Sequence, residues 1–440
     1  MPLQWIDGDV FIKPVNRLRA VVRPPGSKSL TNRYLTCAAL ADGVSRLQNA
    51  APADDVARMA AVLTGVGIEN TREFRTNTLT VRGAAGQIPA TEAALDIHHA
   101  GTAMRFATAL LSTGHGEYRL DGSERMRQRP IGQLVDVLRQ LGARIEYTDN
   151  ENCPPLIIHA AGLAGGTAHM ARTPSSQFVS ALLMVAPYAG QDVMLELDEP
   201  PPSRPYVDMT IEVMRSMGVE VVEDQGTRFI VAASQRYRGG NYEIEPDASG
   251  ATYFWAAAAA TGGRVRVSGL SRSSRQGDAA FVDVLEAMGC QVVSGRDFIE
   301  VAGPDDRSLR GVNVDLNAMP DTVQTLAVLA LFASDKTEIR NVANLRLKET
   351  DRLNALASEL ARLGARVDVH RDGLTIFPPE ELNPAEIETY DDHRMAMSFS
   401  IAALMTKGVV IKNGACVDKS FPGYFDVLTD AVRQSRNGSL

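Results

Sequence analysis

At 440 residues the chain is too long for one ordinary hydrophobic core, so at least two domains are expected. Its 45% hydrophobic and 22% charged residues fit a globular protein, and a net charge of −8 gives no global support for binding nucleic acid or a membrane surface. A local basic pocket can still hold an anionic small molecule. The four cysteines, Cys37, Cys153, Cys290 and Cys416, form no CxxC pair and no disulfide framework, which fits a reducing cytosol. The seven histidines show no HxxxH or HxH pairing, so no structural metal site is expected. The opening MPLQWIDGDV reads as neither signal nor transit peptide, and no apolar run approaches a membrane span.

The first organising stretch is RPPGSKSLTNR, residues 23–33. Two prolines and a glycine stop regular structure. Ser27, Lys28 and Ser29 then precede an apolar run, Leu30, Tyr34, Leu35, Ala38 and Ala39, whose three- and four-residue steps predict a helix with a buried face. A helix start carries free N–H groups and partial positive charge, so it attracts anions. Lys28 adds a full charge there, and Arg33 lies one turn beyond Ser29.

The device recurs along the chain. An apolar helix closed by glycine and followed by a short strand ends at Gly67, Gly142, Gly218, Gly289 and Gly364, which by subtraction are 75, 76, 71 and 75 residues apart. A sixth such helix, YFDVLTDAVRQ, comes near the end of the chain. Each is preceded by a more apolar helix, and these six start at SKSLTNR, AGTAMRF, SSQFVSA, SGATYFW, PDTVQTL and DHRMAMS. Short β patterns such as EYRLDG, DVMLEL and GVVIKN lie between the two helices of a unit. Six α/β units of roughly 70 residues suggest two lobes of three. Arg23-Pro24-Pro25-Gly26 and Glu245-Pro246-Asp247 are the candidate crossings, placing residues 1–25 and 246–440 in one lobe and 26–245 in the other.

Polar residues mark most of the buried helix starts: Lys28, Ser29 and Arg33; Gly101, Thr102 and Arg105; Ser175, Ser176 and Gln177; Asp321; Asp392, His393 and Arg394. If the three helices of a lobe run parallel, these starts converge on one face, and two facing lobes would enclose a cleft ringed by helix N-termini. Further cations stand in loops: Arg125, Arg127 and Arg129, then Lys348 and Arg352, then Lys419. Thr350 reads as an N-cap that leaves Lys348 outside the following helix. Asp321 opens a helix, which favours its ionised form and suits a base. Glu349 reads as either a salt-bridge partner or an acid–base group, and His393 as either a core histidine or an acid–base group.

With these residues assembled, the chain resembles the 5-enolpyruvylshikimate-3-phosphate synthases over essentially its whole length. The motifs that carry the resemblance include PGSKSLTNR (25–33), AGTAMRF (100–106), RMRQRPIG (125–132), SSQF (175–178), SRPYVDMT (203–210), PDTVQTLA (320–327), LRLKETDRL (345–353), DDHRMAMSFS (391–400) and KSFPGYF (419–425). The resemblance implies an inside-out α/β barrel in two lobes, each of three βαβαββ repeats, with helix N-termini facing the cleft. It also implies transfer of the enolpyruvyl group of phosphoenolpyruvate to the 5-hydroxyl of shikimate 3-phosphate, by addition and elimination, without metal or organic cofactor. A cytoplasmic monomer is expected.

By the same resemblance, Ser29 and Arg33 hold the shikimate carboxylate, and Ser175, Ser176, Ser203 and Lys348 the 3-phosphate. Gln177 and Tyr206 pack along the ring, and Asn344 contacts the shikimate side. Lys28, Arg129, Arg352, Arg394 and Lys419 hold phosphoenolpyruvate, with Gly101 at its edge and Gln177 shared. Glu349 gives and retrieves the carbon-bound proton, Asp321 is the base for the hydroxyl, and Lys28 and His393 assist. The family often has Asn at His99 and Pro at Phe106, so the second helix start departs from its pattern. The alternatives are a UDP-N-acetylglucosamine enolpyruvyl transferase, against which SSQF and LRLKETDR argue, and a non-catalytic anion-binding protein, against which Asp321 and Glu349 argue.

Overall fold

The computed structural model describes residues 2–171 and 173–436. The chain divides into two compact units, Gly26–Glu245 on the one hand and Met1–Pro25 with Pro246–Leu440 on the other. Among the described residues the first unit holds α1 (Lys28–Leu40), α2 (Asp54–Gly65), α3 (Gly101–Ser112), α4 (Gly132–Gln140), α5 (Ser176–Val185) and α6 (Arg204–Ser216). The second holds α7 (Ala248–Thr261), α8 (Phe281–Ala287), α9 (Val323–Leu329), α10 (Arg352–Arg362), α11 (His393–Met405) and α12 (Tyr424–Arg436).

The odd-numbered helices form the centre of each unit. Every residue of α3 and α9 is buried, and α1, α5 and α7 each leave one residue less than buried: Ser29, Gln177 and Ser249. All three exceptions lie in the first turn, so these helices are apolar in the body and open at the N-terminus. α1, α3 and α5 touch one another pairwise, as do α7, α9 and α11. A helix apolar all round must be covered on every side, and the even-numbered helices supply part of that cover. α10, for example, turns Leu353, Leu356 and Leu360 inward and leaves Asn354 and Ala361 outside.

Five of the even-numbered helices end at the repeated glycines. Gly67, Gly142, Gly218, Gly289 and Gly364 have φ of +81°, +98°, +93°, +106° and +100°. A side chain at these positions would be strained, which explains why the repeat is punctuated by glycine.

Among the described residues the strands form six four-stranded sheets with one plan. Glu92–Asp96 runs parallel to His115–Asp121, which is antiparallel to Leu156–Ala161, which is antiparallel to Arg144–Tyr147. Three sheets are completed by distant segments. Asn241–Glu243, at the end of the first unit, returns to pair parallel with Val44–Gln48. Near the N-terminus Leu3–Ile6 and Asp9–Ile12 join Val410–Ile411 and Glu386–Ile387, while Arg19–Val22 pairs parallel with Arg264–Ser268. The fold is thus α/β with six repeated units, and the repeat brings three buried helix starts together in each unit.

Candidate active site

In the Gly26–Glu245 unit, Ser27 caps α1 by accepting from the Leu30 N–H at 3.4 Å. Lys28 and Ser29 therefore lie inside the first turn rather than before the helix. The Lys28 Nζ is 3.1 Å from Asp55 Oδ2, in the first turn of α2. Arg33, only 1% exposed, donates to Thr210 Oγ1 (2.7 Å), the Ser29 carbonyl (3.0 Å) and the Tyr206 carbonyl (2.9 Å). Burial pushes its guanidinium down to about 10, and those acceptors are neutral oxygens. The Phe106 ring lies 5.5 Å from the guanidinium carbon and the Tyr206 ring 5.9 Å, so Phe106 serves the Arg33 environment from the body of α3.

Gly101, the first residue of α3, has a specific steric reason. A Cβ there would fall 2.5–2.7 Å from the Arg129 guanidinium. Glycine lets Arg129 lie against the start of α3. Arg105 fixes the same corner by donating to the Gly101 carbonyl (3.1 Å) and the Pro130 carbonyl (2.7 Å). Of the three loop arginines, Arg129 is buried, whereas Arg127 pairs with Asp121 at 2.8 Å and Arg125 reaches Gln128. Ser175 caps α5 by accepting from the Gln177 N–H at 3.2 Å, and buried Ser176 follows. Gln177 Nε2 donates to Thr102 Oγ1 at 3.1 Å, which joins the starts of α5 and α3. Ser203 sits at φ +55° just before α6, and its carbonyl accepts from the Tyr206 N–H.

In the second unit Asp321, Glu349, Arg352, His393, Arg394 and Lys419 join one ion network through Asp392 and Arg352. Arg352 is 1% exposed. Its Nε lies 2.7 Å from Asp392 Oδ2, its Nη1 3.2 Å from Asp321 Oδ1 and its Nη2 2.8 Å from Glu349 Oε2. Burial works against its charge, but the pull of Asp392, Glu349 and Asp321 outweighs burial and raises the guanidinium above its ordinary range. Arg394 Nη2 takes the other Asp321 oxygen at 2.7 Å, and its Nη1 reaches the Tyr253 hydroxyl at 3.2 Å. Lys419 Nζ lies 3.8 Å from Glu349 Oε1. Buried His393 has Nδ1 3.6 Å from Asp392 Oδ1. Asn344 lies on the 3-10 turn Ala343–Leu347, and Lys348 follows it directly before Glu349. The helix cap is Asp351, which accepts from the Asn354 N–H at 3.2 Å. Thr350 does not cap it; Lys348 does stand outside α10.

Several pairings could not be read from sequence. Asp392 has a readable role as the cap of α11, accepting from the Arg394 N–H at 3.0 Å. Its pairing with Arg352, 40 residues away, is set by packing alone. Asp55 for Lys28 and Tyr253 for Arg394 are of the same kind. Asp278 is another: it is buried, accepts from Ser249 Oγ, and burial together with the charge of Asp321 pushes it up to about 7.

Each unit thus presents buried cations at helix starts, and the second unit sets the carboxylates of Asp321, Glu349 and Asp392 against them. Such groups can bind a small ligand with several negative charges and move protons on it. Among the described residues no group of His, Cys, Asp and Glu could hold a metal ion, and no helix is long and apolar enough to cross a membrane.

Comparison with known proteins places this arrangement. The family model described as EPSP synthase (3-phosphoshikimate 1-carboxyvinyltransferase) matches residues 12–428. The 3-phosphoshikimate 1-carboxyvinyltransferase of Trichormus variabilis is 47% identical over 417 residues, covering 94% of this chain and 97% of that protein. The protein of the same name from Vibrio vulnificus is 45% identical over 420 residues, covering 95% and 97%. The solved EPSP synthase of Acinetobacter baumannii superposes with a TM-score of 0.79 at 25% identity, covering 96% of this chain and 97% of that one. The chain belongs to the EPSP synthase family.

Proposed function

We propose that the chain transfers the enolpyruvyl group of phosphoenolpyruvate to the 5-hydroxyl of shikimate 3-phosphate and releases phosphate. Family membership over nearly the whole chain supports this reaction over the UDP-N-acetylglucosamine alternative. The observation that carries the chemistry is the placement of Asp321 and Glu349 on the two ends of the Arg352 guanidinium, with Arg394 and Lys419 on their other oxygens.

In this reading Lys28, Gly101, Arg129, Arg352, Arg394 and Lys419 serve phosphoenolpyruvate. Ser29, Arg33, Ser175, Ser176, Ser203, Tyr206, Asn344 and Lys348 serve shikimate 3-phosphate, and Gln177 serves both. Arginine forks suit carboxylate and phosphate oxygens, and hydroxyls at helix starts add neutral donors beside N–H groups. As phosphoenolpyruvate takes donors from Arg352 and Lys419, their hold on Glu349 weakens, which favours its taking up a proton. Glu349 then protonates the methylene carbon, leaving a cationic carbon beside the phosphate ester. The 5-hydroxyl attacks that carbon while Asp321 accepts its proton, giving a tetrahedral intermediate. Glu349 retrieves a proton from the new methyl group as the C–O bond to phosphate breaks. His393, packed on Asp392, and Lys28, paired with Asp55, support the charges around these steps.

The experiment is mass spectrometry of the organic product after incubation with both substrates. The account expects shikimate 3-phosphate carrying one added enolpyruvyl ether. Pyruvate plus unchanged shikimate 3-phosphate would refute transfer.

A further inference from the structure

The turn before α11 carries a strain that the reaction chemistry leaves unexplained. Tyr390 has φ +53° and Asp391 φ +56°. Among the described residues this is the only place where two successive non-glycine residues are left-handed. Each such residue costs about 1 kcal/mol or more, and a bulky aromatic one is uncommon there. Such strain persists only where surrounding contacts over-determine it.

Two of those contacts come from one buried carboxylate. Glu359, on α10, is 0% exposed. Its Oε1 accepts from the Tyr390 hydroxyl at 2.6 Å, and its Oε2 accepts from the Glu388 N–H at 3.1 Å. Asn413 Nδ2 holds Asp391 Oδ1 at 3.2 Å, and the Asp392 N–H donates to the Thr389 carbonyl at 2.8 Å. The very next residue, Asp392, grips Arg352. Arg352 and Glu359 are seven residues apart on α10, two turns along one face. One helix therefore holds the start of the next at two points, one through Arg352 and the other through Glu359.

We propose that Glu359 and Tyr390 are positioning residues for phosphoenolpyruvate: they hold the left-handed Tyr390–Asp391 pair and so fix Asp392, Arg352 and Arg394 in the geometry that receives the anion. This rests on the reading of Arg352 and Arg394 as phosphoenolpyruvate ligands. Tyr390 touches no reacting atom in this scheme, and the residue is 41% exposed, so losing the hydroxyl alone leaves the core intact.

The test is Tyr390→Phe, with Glu359→Gln as the second variant. Losing a hydrogen bond to a charged group is worth about tenfold. Tyr390→Phe is expected to raise KM for phosphoenolpyruvate by about that factor, with kcat and KM for shikimate 3-phosphate within about twofold. In the Glu359→Gln background the tyrosine change should add less than it does in wild type, because the Tyr390 hydroxyl then meets a neutral partner. Backbone amide exchange over 391–395, measured without substrate, should quicken in Tyr390→Phe. Unchanged exchange would overturn the clamp whatever the substrate. An unchanged KM for phosphoenolpyruvate, or an equal rise for both substrates with a falling Tm, would overturn the positioning role. Absence of wild-type turnover would instead defeat the parent reading.

Discussion

Arg352 and Asp392 meet in a two-bond pair, Nε to Oδ2 at 2.7 Å and Nη2 to Oδ1 at 3.2 Å, with neither side chain more than 2% exposed. Asp392 also caps α11 through the Arg394 N–H. One carboxylate therefore sets both the orientation of Arg352 and the start of the helix that carries Arg394. Removing one partner of a buried pair is more costly than the pair itself is stabilising, because a charge is left behind. Asp392→Asn keeps the cap and weakens the pair. It is expected to cost about 3 kcal/mol of stability, the low end for such a break, and to raise KM for phosphoenolpyruvate. Urea denaturation and steady-state kinetics check this; a wild-type midpoint with unchanged KM would contradict it.

Glu349 and Asp321 occupy opposite ends of the same guanidinium. If they carry the carbon-bound and hydroxyl protons, Glu349→Gln and Asp321→Asn each lower kcat by at least about 100-fold, the lower range for lost acid–base catalysis. Circular dichroism establishes folding. A folded variant with near-normal kcat removes that residue from the scheme.

Gly101→Ala tests the other unit. The new methyl group meets the Arg129 guanidinium, the far end of a long side chain, so the arginine moves rather than the backbone. Tm should change little while KM for phosphoenolpyruvate rises several-fold, on the order of one lost charge-assisted hydrogen bond. A large fall in Tm with unchanged KM would show that the glycine serves packing alone.

Asp278 gives the pH dependence. Burial, then the charge of Asp321, pushes its carboxyl up to about 7 from an ordinary value of 3.8, while Ser249 and Arg394 act the other way and Asp247 adds to the rise. The folded state thus binds this proton more tightly than the unfolded chain does. Its contribution to stability is full below about pH 4 and is lost as pH rises through about 7. Asp278→Asn should flatten the change in urea midpoint between about pH 5 and about pH 8. An equal change in wild type and variant would contradict the assignment.

The repeat was readable because it has a local cause: helix ends need glycine at positive φ, and Gly67 through Gly364 all have it. The cationic starts were readable for a similar reason, since Lys28, Arg352 and Arg394 stand beside caps formed by Ser27, Asp351 and Asp392. Sequence erred by one residue where two capping types are adjacent, at Thr350 and Asp351. It could not supply the partners. Asp55, Tyr253, Asp392 and Glu359 become site residues only because helices far apart in sequence pack together. Phe106 illustrates the same limit: its place in α3 suggests an effect on Gly101, yet its ring lies against Arg33.

The most direct measurement is phosphate release by the wild-type chain with phosphoenolpyruvate and shikimate 3-phosphate, each omitted in turn. The account predicts release only with both present, and loss of that release in Glu349→Gln. Equal release from phosphoenolpyruvate alone, or none with both, would contradict it.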